Sequence, residues 1–239
     1  MRKNIILQAI FAALLFSACG ILAEGRSYTR VNEYSSLPAG QFKLEYSLTS
    51  VVMDKYSMEN SRWDNWLELS YGLSESTGIS SLQKFSQSTG AVTKFSYDGF
   101  NVRFKHQISK KDTLFVDMLF YLGYARAPDL SKTDIIEWRE VFSKDIGRLN
   151  IVYNMSFEYE PKNNWRFEHN YAFGMSYDLE FMRIGLESHG NYSRKEYYLG
   201  PSVSIITKDL CFTFSPEWGL VSAGNQMQIM AILGLPFGK

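Results

Sequence analysis

Two cysteines, three histidines and no formal net charge in 239 residues leave little room for several common kinds of function. Two cysteines are too few for a disulfide scaffold. Twenty-five basic side chains balance twenty-five acidic ones, which removes any electrostatic case for nucleic acid or another polyanion as partner. The stretch SQSTGAVTK (86–94) contains no G-x-x-x-x-G-K, so a phosphate cradle is unsupported. A lipid hydrolase would need a Ser–His pair with a third, orienting group. Of His106, His169 and His189, only His189 follows a serine, and Ser188 would point to the opposite face of a strand. Glu187 and His189 share a face, but two groups at i, i+2 do not make a metal site. No catalytic residue, metal or cofactor is expected, and the chain reads as a non-enzyme.

Helical periodicity is also missing: after Gly40 no segment longer than about 11 residues carries it. The first residues are apolar but short. Arg2 and Lys3 precede a hydrophobic core from Ile5 to Phe16 and small residues from Ser17 to Gly20, the pattern of a secretory signal. That core falls short of the about 20 residues a membrane helix needs. Cleavage after Gly20 or Ala23 would fit, and FSACG also resembles a lipobox with Cys19 as acceptor, although Phe16 stands where Leu is usual. Processing after Ala23 removes two cations and leaves 23 basic against 25 acidic groups. Loss of Cys19 would leave Cys211 with no partner. Residues 1–23 are assigned to the signal, 24–40 to a short periplasmic arm, and 41–239 to one domain.

What the chain has is aromatics and alternation. Seventeen Phe, fifteen Tyr and five Trp suit a pleated surface better than a helix. In 164–180, NWRFEHNYAFGMSYDLE, the residues Trp165, Phe167, Tyr171, Phe173, Met175 and Tyr177 share one parity, and Arg166, Glu168, Asn170, Ala172, Gly174, Ser176 and Asp178 the other. Twelve such segments follow one another: 41–53, 63–73, 77–87, 98–108, 113–124, 135–144, 148–159, 165–177, 181–190, 196–206, 210–218 and 226–237. Each approaches the length of a tilted membrane strand. The links between them alternate, every odd one longer than every even one, as in outer-membrane barrels with short turns at one end and longer loops at the other. Trp63, Trp66, Trp138, Trp165 and Trp218 fall toward the long-loop end, where an interfacial girdle would lie.

These observations predict an all-β, antiparallel up-and-down transmembrane barrel of about twelve strands. Twelve broad greasy faces are too much to bury inside one barrel, whereas facing outward they meet lipid while closure satisfies the backbone. By parity the lumen then holds Glu45, Glu68, Arg103, Lys105, Asp117, Glu137, Arg139, Glu158, Arg166, Glu168, Arg183, Glu187 and Glu196. They read either as a permeation lining or as internal ion pairs, the mixed signs favouring pairs. Four features break the rhythm. His169 and Glu140 sit on greasy faces, Pro201 cannot donate to a ladder, and 77–87 hardly alternates, which calls for a bulge or a shifted boundary.

LPAGQFKLEY (37–46), WLELSYGLSEST (66–77), VFSKDIGRLNIVYNMSFEYE (141–160), YYLGPSVS (197–204) and ILGLPF (232–237) together resemble bacterial outer-membrane barrels of a transporter-like, porin kind, akin to the phenol-degradation meta-pathway group. The resemblance spans the barrel in order and implies an outer-membrane barrel with passive transport, and it carries over no catalytic residue. In this family the last residue is often aromatic, whereas here Gly238 and Lys239 follow Phe237. The expected role is a channel for small solutes in the outer membrane of a Gram-negative-type cell, reached through the periplasm. The expected partners are the lipid bilayer, the barrel-assembly machinery and small solutes, with a monomer favoured. Two other readings stay open: a plugged structural or adhesive barrel without transport, and an outer-membrane lipid hydrolase.

Overall fold

The computed structural model describes residues 26–52, 61–88, 94–129, 131–161, 166–207, 210–221 and 226–238. The expected signal, Cys19 and Trp165 lie outside the described residues. Twelve strands run in order: β1 (Phe42–Val52), β2 (Arg62–Ser74), β3 (Thr77–Ser88), β4 (Lys94–Gln107), β5 (Asp117–Arg126), β6 (Ile135–Ile146), β7 (Leu149–Glu160), β8 (Arg166–Asp178), β9 (Met182–Asn191), β10 (Glu196–Ile206), β11 (Cys211–Gly219) and β12 (Met227–Phe237). Each pairs antiparallel with its sequence neighbours, and β1 pairs with β12, so the sheet closes. The seam is unbroken from Phe42↔Phe237 to Val52↔Met227. Closure leaves no edge, which matters because each unpaired backbone group in hydrocarbon costs several kcal/mol. Phe42 stacks on Phe237 at 5.6 Å and lies 4.6 Å from Tyr71, which seals the seam at its short-turn end.

Period-2 alternation sorts the two faces. Leu67, Leu69, Val102, Phe104, Leu122, Met175, Ile184, Leu186, Val203, Phe212 and Phe214 all stand exposed on the outside. Buried polar groups take the other parity: Glu45, Ser47 and Thr49 on β1, Asn154 and Ser156 on β7, Ser202 and Ser204 on β10, Thr213, Ser215 and Glu217 on β11. A protein exposing this much apolar surface to water would aggregate, so the outer face requires an apolar solvent.

Irregularities fall where the alternation weakens. The β3–β4 ladder shifts register at Lys84/Phe85, opposite Gly99, whose φ is +121°. A Cβ at Gly99 would collide with the Arg126 carbonyl, so the bulge needs glycine there for both reasons. A second shift lies at Gly72/Ser74 on β2. Pro201 on β10 and Pro216 on β11 interrupt their mutual ladder between Leu199↔Trp218 and Val203↔Phe214. The Ser215 hydroxyl donates to the Pro201 carbonyl at 2.8 Å in place of a peptide N–H.

The links depart from strict alternation of length. Residues 108–116, expected as a tight turn of four, form a nine-residue connection between β4 and β5. The apolar run Leu114, Phe115, Val116 kept the rhythm of a strand, but Asp112 adopts φ +62° and its N–H donates to the Asp117 carboxylate at 2.7 Å. Lys111–Asp145 (2.6 Å) and Lys144–Asp112 (3.2 Å) then tie this connection to the end of β6. The other links at that end stay short: 75–76, 147–148, 179–181 and 207–210.

With Leu186 halfway along β9 and facing outward, Leu186→Arg in lipid vesicles should destabilise the barrel by about 2–4 kcal/mol, the cost of a cation near the bilayer midplane. Denaturant titration from vesicles measures it. A cost under about 1 kcal/mol would mean that this face does not meet the hydrocarbon.

Candidate functional site

Residues 24–40 are expected to form an arm in the periplasm; of these, 26–37 lie inside the lumen instead, and 38–40 are exposed at the short-turn end. The segment starts at the short-turn end, where Arg26 N–H meets the Cys211 sulfur at 3.1 Å and its carbonyl accepts from Ser204 and Thr213. It rises to mid-barrel at Thr29–Asn32 and returns to the same end. There Ser36 Oγ donates to the Glu75 carbonyl at 2.7 Å, Tyr34 OH donates to the Ser109 carbonyl, and Gly40 N–H meets the Gly72 carbonyl at 2.9 Å.

One wall holds the segment by packing. Tyr28, Val31 and Tyr34 form a buried cluster with Leu119 of β5, Val141 of β6, Val152 of β7 and Ala172 of β8, with Tyr121 against it. These are lumen-facing positions, so the barrel has an apolar patch on the face expected to be wet. The Tyr28 ring lies over Gly174, where an added Cβ would sit 2.6 Å from Cε1. Its hydroxyl donates to Asn150 Oδ1 at 2.9 Å.

The other contacts are hydrogen bonds to the segment's backbone. Glu187, fully buried on β9, accepts the Thr29 N–H and the Arg30 N–H, each at 2.8 Å, and the Thr29 hydroxyl at 3.2 Å. Asn154 of β7 accepts the Asn32 N–H at 2.6 Å and donates to the Asn32 carbonyl at 2.9 Å. Arg30 reaches Gln228 Oε1 at 2.6 Å and lies 3.7 Å from Glu217 Oε2. The Glu187 carboxylate is thus answered by peptide N–H groups rather than by a cation. A buried carboxylate without such partners costs several kcal/mol, and each charge-assisted hydrogen bond returns about 1.5–3 kcal/mol.

The segment divides the lumen. Toward the long loops lies a vestibule of about 430 Å³, with Thr29, Arg30 and Asn32 at its base. Toward the short turns lies an opening of about 830 Å³ lined by Glu33, Tyr34, Lys111, Asp145, Asn150 and Arg183. A small cavity of about 60 Å³ beside Arg26, Glu45, Lys105 and Tyr121 remains between segment and wall.

The side chains expected in the lumen occupy distinct levels. Glu68, Arg103, Glu137, Arg139, Glu158 and Glu168 line the upper vestibule. Arg103 bridges Glu68 at 3.6 Å and Glu137 at 3.9 Å, and Arg139 pairs with Glu137. Arg166 at the rim meets Glu168 at 2.6 Å, and Glu168 also takes Arg194 at 2.8 Å and Asn191 at 2.7 Å. Lys105 donates to the Ser35 carbonyl at 3.0 Å, and Arg183 joins Asp178 (3.2 Å) and Glu33 (4.0 Å). Asp117 caps the β4–β5 connection, and Glu187 holds the segment. Glu196 also lines the vestibule, and Glu45 meets Lys43 at 3.3 Å.

The tryptophans divide. Trp63, Trp138 and Trp218 share the outward parity, with Trp138 and Trp218 half exposed. Trp66 is expected in the girdle, but it shares the parity of Glu68 and faces the lumen. Lys84 Nζ lies 5.5 Å from its ring centroid and Arg30 Cζ 6.0 Å. His169, the polar ring on the greasy face, stacks on Phe157 at 4.7 Å and approaches Tyr192 at 4.9 Å. Phe167, Tyr171 and Tyr197 continue this aromatic patch at the long-loop rim.

The sequence reading missed the segment and its partners Asn154, Glu217 and Gln228, together with Lys84. A signal was present. Ala172, Gly174 and Ser176 on β8, Gly185 on β9, and Gly200, Ser202 and Ser204 on β10 make one lumen wall of small residues, the space a lumenal occupant needs.

None of the three histidine rings pairs with a serine hydroxyl among the described residues. His106 meets Thr77 at 2.9 Å, His189 meets Glu217 at 3.1 Å, and His169 is held by aromatic stacking. No metal-binding group of three or more His, Cys, Asp or Glu occurs among the described residues.

A closed twelve-strand barrel with an apolar exterior and a charged lumen has the architecture of a membrane-spanning β-barrel. No family model and no curated protein matches the chain in sequence, so the resemblance to the phenol-degradation meta-pathway group gains no support. Solved structures share the fold. The KdgM porin in complex with disordered oligogalacturonate superposes with a TM-score of 0.56 at 9% identity, over 83% of this chain and 99% of that one. The NanC porin gives 0.54 at 9% identity over the same shares. The Salmonella typhi outer membrane phospholipase dimer with bound calcium gives 0.50 at 13% identity, over 87% and 94%. At these identities the likeness is one of fold.

Quenching should separate the tryptophans. In single-tryptophan variants refolded into vesicles, Trp66 should be quenched by aqueous iodide and Trp138 by brominated acyl chains. The reverse pattern at Trp66 would contradict its lumenal position.

Proposed function

We propose that this protein is a porin-like channel of the Gram-negative outer membrane, giving passive passage to small polar solutes, and that its lumen is closed at rest by residues 26–37. The carrying observation is the pair of vestibules, about 430 and 830 Å³, opening toward opposite ends and separated by a segment the barrel wall does not covalently hold except through Gly40. A purely structural barrel has no need of charged chambers at both ends. The exterior belt and the aromatic rim fit a bilayer as partner, and the fold shared with two porins supports the channel reading. The vestibule carries both signs, Lys84, Arg103 and Arg139 against Glu68, Glu137 and Glu158, which suits polar solutes without strong ion selectivity.

The hydrolase reading has one supporting observation, the fold shared with a phospholipase, and no Ser–His pair among the described residues to go with it.

Planar-bilayer recording of refolded protein tests the channel. Discrete openings interrupting a closed baseline are expected, with small selectivity between potassium and chloride. A membrane that stays silent at every voltage, with protein shown to be inserted, would sink the channel reading and leave the structural barrel.

A further inference from the structure

The contacts that hold residues 28–34 are those of peptide recognition rather than of simple space filling. Backbone groups dominate: Glu187 takes two consecutive N–H groups, and Asn154 takes both the N–H and the carbonyl of Asn32. The segment bends through residues 29–31, and within it the side chains of Tyr28 and Arg30 enter separate wall pockets. Tyr28 fills the space over Gly174 and reaches Asn150. Two residues on, Arg30 enters a slot made by Gln228, Glu217 and the Trp66 face. Glu217 Oε2 in that slot is fully buried and has no hydrogen-bond partner, and Arg30 Nε beside it has none either. With His189 on its other oxygen at 3.1 Å, Glu217 therefore recognises the Arg30 cation by charge.

We propose that the lumen contains a peptide-binding site centred on Glu187 and Asn154, that the chain's own residues 28–34 are its resident ligand, and that it takes short peptides that bend as this segment does and carry an aromatic residue two positions before a basic one. Binding energy comes mainly from backbone groups common to every peptide, so the site tolerates varied sequence and selects on the Tyr28 and Arg30 pockets. The resident segment is tethered at Gly40, which gives it a millimolar effective concentration. A free peptide competes only when that segment is away.

This proposal deepens the channel reading and rests on it for its electrical readout alone. The test uses the full chain with residues 27–36 replaced by a Gly-Ser stretch of equal length, its folding checked by heat-modifiable gel migration. The probe is a synthetic peptide of residues 26–37, RSYTRVNEYSSL, against a scrambled peptide of the same composition. In planar bilayers the replaced barrel should conduct at least severalfold more than wild type, and the peptide should block it at concentrations at least tenfold below the scrambled one. Glu187→Gln in the same background replaces one of the two accepting oxygens with an NH2 that cannot accept, and should weaken block about tenfold. Asn154→Ala, a separate variant at the other clamp, should do the same. Equal block by both peptides, or no block at millimolar peptide, overturns the site. A replaced barrel that carries no more current than wild type overturns closure by the segment. Should the replaced barrel carry no current at all, the channel reading falls, and fluorescence anisotropy of labelled peptide in detergent decides the site independently. Saturable binding weakened by Glu187→Gln sustains it, and absence of saturable binding ends it.

Discussion

A ring of twelve strands encloses more space than its own inward side chains fill, and most of this structure follows from how that space is occupied. Closure of β1 on β12 fixes which parity faces in, and the inward faces of β5 to β8 carry Leu119, Val141, Val152 and Ala172 at mid-height. Apolar groups in a water-filled pore would be costly to leave uncovered. Tyr28, Val31 and Tyr34 cover them, giving the barrel a hydrophobic core of its own inside the lumen. On the far side, where β9 to β12 present Glu187, Glu217 and Gln228, the same segment meets polar groups with its backbone and with Arg30. One short stretch thus satisfies two chemically opposite walls.

That dual fit also bears on how firmly the segment is held. Packing of Tyr28 over Gly174 resists displacement as any core contact does. The polar half behaves otherwise, because water entering the lumen would hydrate Glu187 and Asn154 as the segment left. The net preference for the seated state is therefore smaller than the count of its hydrogen bonds suggests. The closure proposed for this segment, stable and still reversible, needs this balance, and a lumen lined wholly by apolar groups or wholly by charges would not provide it.

Much of the fold was legible in the sequence, because a strand half in lipid and half in a polar lumen writes its period directly into the residues. All twelve strands fall within a few residues of their expected spans, and the weak alternation of 77–87 marked a real register shift at Lys84/Phe85. The start of β5 was misplaced because Leu114, Phe115 and Val116 continue an apolar rhythm that the Asp112 turn cuts short. Trp66 differs: its height along β2 suits an interfacial girdle, whereas its parity with Glu68 points it into the lumen, where Lys84 and Arg30 meet its ring. The segment was illegible as a lumenal element because its polar composition reads equally well as solvated chain. Its Tyr28, Val31 and Tyr34 gain meaning only beside the small and apolar residues of the opposite wall, which are over a hundred positions away in β6 to β8.

Native-state hydrogen exchange on the folded barrel in micelles tests the seated segment most directly. Thr29, Arg30 and Asn32 donate their amides to Glu187 and Asn154 inside the lumen. Their protection should come within about tenfold of amides in the neighbouring strands β7 and β9. Exchange of these three amides at the rate of an unstructured chain would contradict the account.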